Sequence, residues 1–138
     1  MEYTKLGSTD IKISKICVGC MSFGKAGTMH DWTLDEDQTN DMVKHALDLD
    51  INFFDTANCY SGGTSEEYLG KAIKNNTTRD KVVIASKVYF NEGRLSRDAI
   101  NREIDGTLKR LGTDYLDLYI IHRFDYDTPI EETMEALD

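Results

Sequence analysis

The chain is poor in several things that would have named a class at once. It has three cysteines, at positions 17, 20 and 59, too few and too oddly spaced for a disulfide framework. No apolar run approaches the length needed to span a membrane. The first residues, Met1-Glu2-Tyr3-Thr4-Lys5, lack the basic-then-apolar pattern of a signal peptide. Positive charge is scarce: 16 Lys and Arg stand against 25 Asp and Glu, a net charge of −9. That balance argues against nucleic acid and anionic membranes as partners. No Gly-x-Gly-x-x-Gly and no Gly-Lys-Ser/Thr is present, so Gly62-Gly63 resembles a phosphate loop only superficially. Nothing is low-complexity and no linker divides the chain. A soluble, cytoplasmic single domain is the expectation.

What is present is a repeated arrangement. Three apolar segments each end on a polar residue. Asn52-Phe53-Phe54 ends on Asp55, with Tyr60 soon after. Val82 to Ser86 ends on Lys87, and Leu118 to Ile121 ends on His122. Such runs read as buried strands. Parallel α/β barrels carry their chemistry at the C-terminal ends of their strands. A carboxylate, an ammonium, a phenol and an imidazole gathered there read as a proton-transfer site.

At these residues the chain resembles the aldo-keto reductases. The stretch Ile51 to Ala57, then Tyr60, then Ser65-Glu66-Glu67-Tyr68-Leu69-Gly70, is similar to that family's N-terminal signature. Ser86-Lys87 and Ile121-His122-Arg123 match its next two catalytic segments in order. Thr128 to Leu137 is similar as well. The likeness covers essentially the whole chain and is strongest to the bacterial and potassium-channel-β-like branch. It implies a (β/α)8 TIM-barrel fold with an N-terminal β-hairpin that plugs the barrel's bottom.

A complete barrel of this type needs roughly 250 residues, and this chain has 138. Residues 1–138 therefore read as an N-terminal half of about four βα units. The last helix should start near residue 129 and be cut before it closes. Ile130, Met134 and Leu137 share one of its faces by helical spacing. Thr128 with Glu131 predicts a capping box, and Pro129 suits the first turn.

Period and punctuation give the rest. A hairpin is expected over 2–14 and a first strand over 16–19. A long loop follows over 22–33. Helices are expected with Thr33 and Glu36, then Thr64 and Glu67, as caps. Their inward stripes are Val43, Ala46 and Leu47, then Leu69, Ala72 and Ile73. A third helix starts at Ser96, turns Ile100, Ile104, Leu108 and Leu111 inward, and stops at Gly112. Strands are expected at 82–87 and from Tyr115 to His122. Continuous apolar strands between amphipathic helices imply a parallel sheet covered by helices.

The chemistry open to the four residues is carbonyl reduction. Hydride attack on a carbonyl leaves an alkoxide that must be protonated. A phenol is a weak acid at neutral pH, and a neighbouring ammonium favours its anion. Lys87 would be that ammonium, and Asp55 would hold it. His122 would hydrogen-bond and orient the carbonyl oxygen. The resemblance makes Tyr60 the proton donor and NADPH the hydride source, with a small carbonyl compound as substrate. It also puts Cys20 and Met21, with Asp55, at the nicotinamide end. Most other cofactor contacts belong to the family's second half-barrel.

Each residue has an ordinary use as well. Asp55 could cap its own loop, and Tyr60 could be a loop aromatic. Lys87 could reach to water, and His122 could be a satisfied imidazole. Among the remaining features, Cys17-x-x-Cys20 has redox or zinc spacing, but i and i+3 on a strand face opposite sides, and no second ligand pair exists. His30, Asp31 and Trp32 shape a pocket or simply pack. His45 reads as a helix-surface residue. Glu131, Glu132 and Glu135 read as a solvated face. Two functional classes stand beside each other: a reductase, and a regulatory module of the channel-β type on the same fold. An inactive truncated product is a third. A half-barrel would also leave Val18, Phe53, Ile84 or Ile120 partly exposed and favour self-association.

Overall fold

The computed structural model describes residues 1–138. A two-stranded antiparallel hairpin comes first, β1 (Tyr3–Lys5) and β2 (Lys12–Ser14). Four parallel strands follow: β3 (Cys17–Gly19), β4 (Phe53–Asp55), β5 (Val83–Val88) and β6 (Leu118–Ile121). They lie in sequence order in one sheet, joined by α1 (Glu36–Asp48), α2 (Thr64–Asn76) and α3 (Arg97–Leu111). A last helix, α4 (Ile130–Leu137), follows β6. The sheet thus repeats one βα unit.

Register decides which side chains go where. Val18, Phe54 and Ile84 are directly paired across β3, β4 and β5. All three point toward the helices and join one core cluster with Val43, Leu69, Ala72 and Ile73. Phe54 and Ile84 are essentially fully buried there, worth about 1.5–3 kcal/mol each in removed apolar surface. Ile84 is therefore not left exposed by an open sheet. Phe53 and Ile120 lie on the opposite face and are only half-buried. α2 and α3 meet closely because Gly70 has no side chain: an added Cβ would strike the carbonyl of Leu111.

The hairpin docks at the entry end of β4. Tyr3 Oη donates to the Asp50 carbonyl (2.7 Å), and Asn52 Nδ2 donates to the Lys12 carbonyl (2.9 Å). That is the end of the sheet away from Asp55.

Three expected caps are corrected. α1 is capped by Asp35, which accepts from the Gln38 amide (2.9 Å) while Gln38 returns to the Asp35 amide (3.1 Å). Thr33 and Glu36 do not cap it. Leu34 is bridged to Phe23 in a strand-like pairing, which holds the chain extended past Thr33. α2 is preceded by Gly63 at φ 94°, with no side-chain cap. Thr64 instead donates to the Ser61 carbonyl (2.7 Å) and accepts from the Lys25 amide (2.8 Å). α4 has no capping box either, because Thr128 Oγ1 donates to Asp125 (2.7 Å).

The exposed and buried faces of α4 also differ from expectation. Ile130 and Met134 are exposed, while Thr133 is buried and Ala136 and Leu137 pack inward. Nor are Glu132 and Glu135 merely solvated: both engage Arg97, at its amide (3.0 Å) and its guanidinium (2.6 Å). α3 matches its expected ends, with Ser96 accepting from the Ala99 amide and Gly112 closing at φ 68°.

Candidate active site

Parallel pairing places Gly19, Asp55 and Ala85 side by side, on the sheet face away from the helices. Lys87 lies two residues past Ala85 and therefore shares that face. Ile120 pairs with Lys87, and His122 comes two residues later on the same face. The His122 amide extends the ladder by donating to the Val88 carbonyl (2.9 Å). Three of the four candidate residues converge because strand ends and side-chain alternation coincide.

Tyr60 arrives differently. Beyond β4 the chain keeps following β5. The Thr56 amide donates to Ala85 (2.9 Å) and the Asn58 amide to Lys87 (3.2 Å). A short helical turn, Tyr60–Gly63, then doubles back through Ser61, Gly62 and Gly63, all at positive φ. Glycine tolerates that conformation and serine does so only at a cost. The turn is what swings the phenol over Lys87.

Lys87 Nζ satisfies all three of its donors. It donates to Asp55 Oδ2 at 2.6 Å, the Thr56 carbonyl at 2.8 Å and Tyr60 Oη at 3.4 Å. Its side chain is 13% exposed, so the charge is held rather than solvated. The His122 ring packs nearly perpendicular to those of Tyr60 (5.7 Å) and Phe90 (5.1 Å). Burial, and then the nearby Lys87 ammonium, push the His122 imidazole below the usual histidine range, with Asp55 opposing and Arg123 adding. The imidazole is neutral at neutral pH. The structure thus brings Asp55, Tyr60, Lys87 and His122 into one cluster.

The flanking residues fall apart from that cluster in different ways. The Cys20 side chain is fully buried in the helix-facing core, so only its backbone reaches the strand exit. Its carbonyl accepts from Ser65 Oγ (2.7 Å). Met21, next in the chain, is 42% exposed. Cys17 pairs with Phe53, two residues before Asp55 on the same face, and burial followed by that carboxylate pushes its thiol up to about 11. No group of three His, Cys, Asp or Glu is placed to hold a metal. His30 stacks on Trp32 (4.6 Å), and His45 is exposed on α1.

Sequence reasoning missed the supports. Asn58 is nearly buried, and its amide donates to Glu103 on α3 (2.9 Å) and to Asn91 (3.0 Å). It ties the Tyr60 loop down. Glu66 is fully buried and accepts from Ser86 (2.6 Å), Thr107 (3.0 Å) and Arg110 (2.6 Å). Since Ser86 precedes Lys87, this network fixes the exit of β5. Partners so distant in sequence leave no local signal, except that Glu66 belongs to the signature-like stretch.

A family profile, the aldo/keto reductase family, matches residues 15–138. The chain belongs to that family, and its βα units match about half of an aldo-keto reductase (β/α)8 barrel. Among curated relatives it is 40% identical to the versiconal hemiacetal acetate reductase of Aspergillus parasiticus, over 100% of this chain and 47% of that protein. It is 43% identical to the aldo-keto reductase YhdN of Bacillus subtilis, over 99% of this chain and 42% of that one. A crystal structure of the thermostable aldo-keto reductase Tm1743, with the inhibitor epalrestat, superposes with a TM-score of 0.85 at 38% identity. It is covered over 48% of its length by 99% of this chain. The chain spans less than half the length of the curated relatives it matches.

Proposed function

We propose that this cluster reduces a small aldehyde or ketone to an alcohol, with NADPH as the cofactor, and that residues 1–138 supply the first four βα units of the barrel in which it works. The proposal includes a cytoplasmic setting. The observation that carries it is one ammonium, Lys87, within reach of both the Asp55 carboxylate and the Tyr60 hydroxyl.

The residues present fit the reacting end of such a cofactor. Asp55 and the exposed Met21 flank the mouth where the nicotinamide would lie. Two nearby cations are not free to grip its phosphates: Lys87 is engaged by Asp55, and Arg94 by Asp125 and Asp127. The bound cofactor would supply the hydride that becomes the new C–H bond.

Everything else falls to the side chains. His122 donates a hydrogen bond to the carbonyl oxygen, orienting it and stabilising the charge that develops there. Tyr60 passes its hydroxyl proton to that oxygen. The phenolate left behind is stabilised by Lys87, which Asp55 and the Thr56 carbonyl hold in place. Solvent then returns the proton to Tyr60.

The test is aldehyde-dependent oxidation of NADPH by a protein of the relatives' length carrying this sequence. Turnover is expected, and Lys87→Met should remove most of it. No oxidation across a panel of aliphatic and aromatic aldehydes would overturn the proposal.

A further inference from the structure

The His122 imidazole has one side-chain hydrogen-bonding partner, and it is a cysteine. Cys59 Sγ lies 3.9 Å from His122 Nδ1. The rings of the other close neighbours, Tyr60 and Phe90, stand nearly perpendicular to the imidazole, at 87° and 78°, and neither hydrogen-bonds a ring nitrogen. A neutral imidazole carries one proton on two nitrogens, and the bond made by one nitrogen decides which holds it. Burial of Cys59 pushes its thiol up from the ordinary range, so the group facing Nδ1 is S–H rather than thiolate. An S–H donates weakly to a ring nitrogen, and its sulfur accepts only weakly from an N–H. A bare Nδ1 supplies the acceptor. The opposite tautomer would turn an N–H toward the thiol and leave a lone pair on Nε2, the nitrogen that has to meet a carbonyl oxygen.

We propose that Cys59 is a positioning residue that hydrogen-bonds Nδ1 of His122 and keeps the imidazole proton on Nε2. The inference rests on the reductase reading for its use, since an Nε2–H is the donor a carbonyl oxygen requires. It does not rest on that reading for its test. The loop after β4 then delivers two things from adjacent positions: the proton donor Tyr60 and the residue that sets the tautomer of its neighbour. Asn58, bound to Glu103 and Asn91, holds both in place.

The measurement is 15N magnetic resonance on the 138-residue chain with 15N-labelled histidine, under magic-angle spinning so that self-association does not interfere. His122→Asn identifies the signal among the three histidines. At neutral pH the wild-type His122 should show a protonated Nε2 and a hydrogen-bonded, unprotonated Nδ1. Cys59→Val keeps the bulk and removes the donor. The fraction of Nδ1–H should rise about 1.5- to 3-fold, the low end of what loss of one hydrogen bond gives, because S–H is a weak donor. Cys59→Ser restores a donor and should return the wild-type pattern. Nδ1–H in the wild type, or an unchanged tautomer ratio in Cys59→Val, would overturn the assignment. A failed reductase assay beside an intact tautomer result would overturn the activity alone.

Discussion

Glu66 offers the sharpest test of how the site is held. It is fully buried, and its two carboxylate oxygens receive three donors from β5 and α3. Glu66→Gln keeps the shape. The hydroxyls of Ser86 and Thr107 can rotate to suit an amide, so their loss is small. Arg110 cannot adapt, because its guanidinium only donates. Removing one partner of a buried ion pair costs about 3–5 kcal/mol, because the other charge stays buried and uncompensated. Arg110 is 25% exposed, and water screens part of that loss. The expected destabilisation is therefore about 2–4 kcal/mol, a large share of a domain's usual ~5–15 kcal/mol. Urea denaturation at fixed protein concentration would measure it. The same logic makes a second demand. Glu66→Leu with Arg110→Met replaces the pair by apolar groups and should cost less than Glu66→Leu alone. A Gln variant within about 0.5 kcal/mol of wild type, in the range of ordinary surface substitutions, would refute the reasoning. So would additive costs in the double variant.

Other outcomes follow from the same structure. Tyr60→Phe in a protein of the relatives' length should lose about 10²–10⁴-fold in carbonyl turnover. Its melting temperature should barely change, because Lys87 keeps Asp55 and the Thr56 carbonyl; full turnover would remove Tyr60 as donor. The Asp125 carboxyl is pushed up by burial, but Thr128, the amides of Asp127 and Leu95, and Arg94 together hold it below its ordinary value of 3.8. The unfolded chain therefore takes up that proton at higher pH than the folded one. The carboxylate's contribution is full above the ordinary carboxylate range and is lost as pH falls through the lowered value. The stability gap between wild type and Asp125→Asn should narrow on acidification, and a gap independent of pH would contradict the hydrogen-bonding scheme. Finally, β3 and β6 each have one edge without a strand neighbour, and Phe53, Leu118 and Ile120 are half-buried on the open face. Residues 1–138 expressed alone should self-associate. A monomer by light scattering at tens of micromolar, where such edges would pair, counts against that.

The site was legible where a local rule and the tertiary structure agree. Strand alternation is such a rule. It put Asp55, Lys87 and His122 at the exits of apolar runs, and parallel register then set them on one face. Ser96 and Gly112 at the two ends of α3 worked for the same reason: each makes its bond within its own turn. Strand lengths were less legible. β6 begins at Leu118 rather than Tyr115, because the Tyr115 ring is stacked under the Arg79 guanidinium (4.0 Å) and Asp117 is paired with the same side chain.

Capping failed where a hydroxyl turned back to the loop before its helix. Capping boxes are local, with donor and acceptor three residues apart. Thr64 lies beside the mouth of the sheet, where loops from different βα units touch. Its hydroxyl bridges Lys25 and Ser61 rather than serving its own helix. Thr128 turns back to Asp125, which in turn accepts from the Leu95 amide in the neighbouring loop. The same displacement explains why the supports went unseen. Asn58 reaches Glu103, and Glu66 reaches Ser86, Thr107 and Arg110, across gaps that no helical or strand period encodes. The face that carries the candidate site is built from strand ends, which periodicity reveals. It is held by side chains that exchange local bonds for long-range ones, and only the assembled sheet shows which exchange each has made.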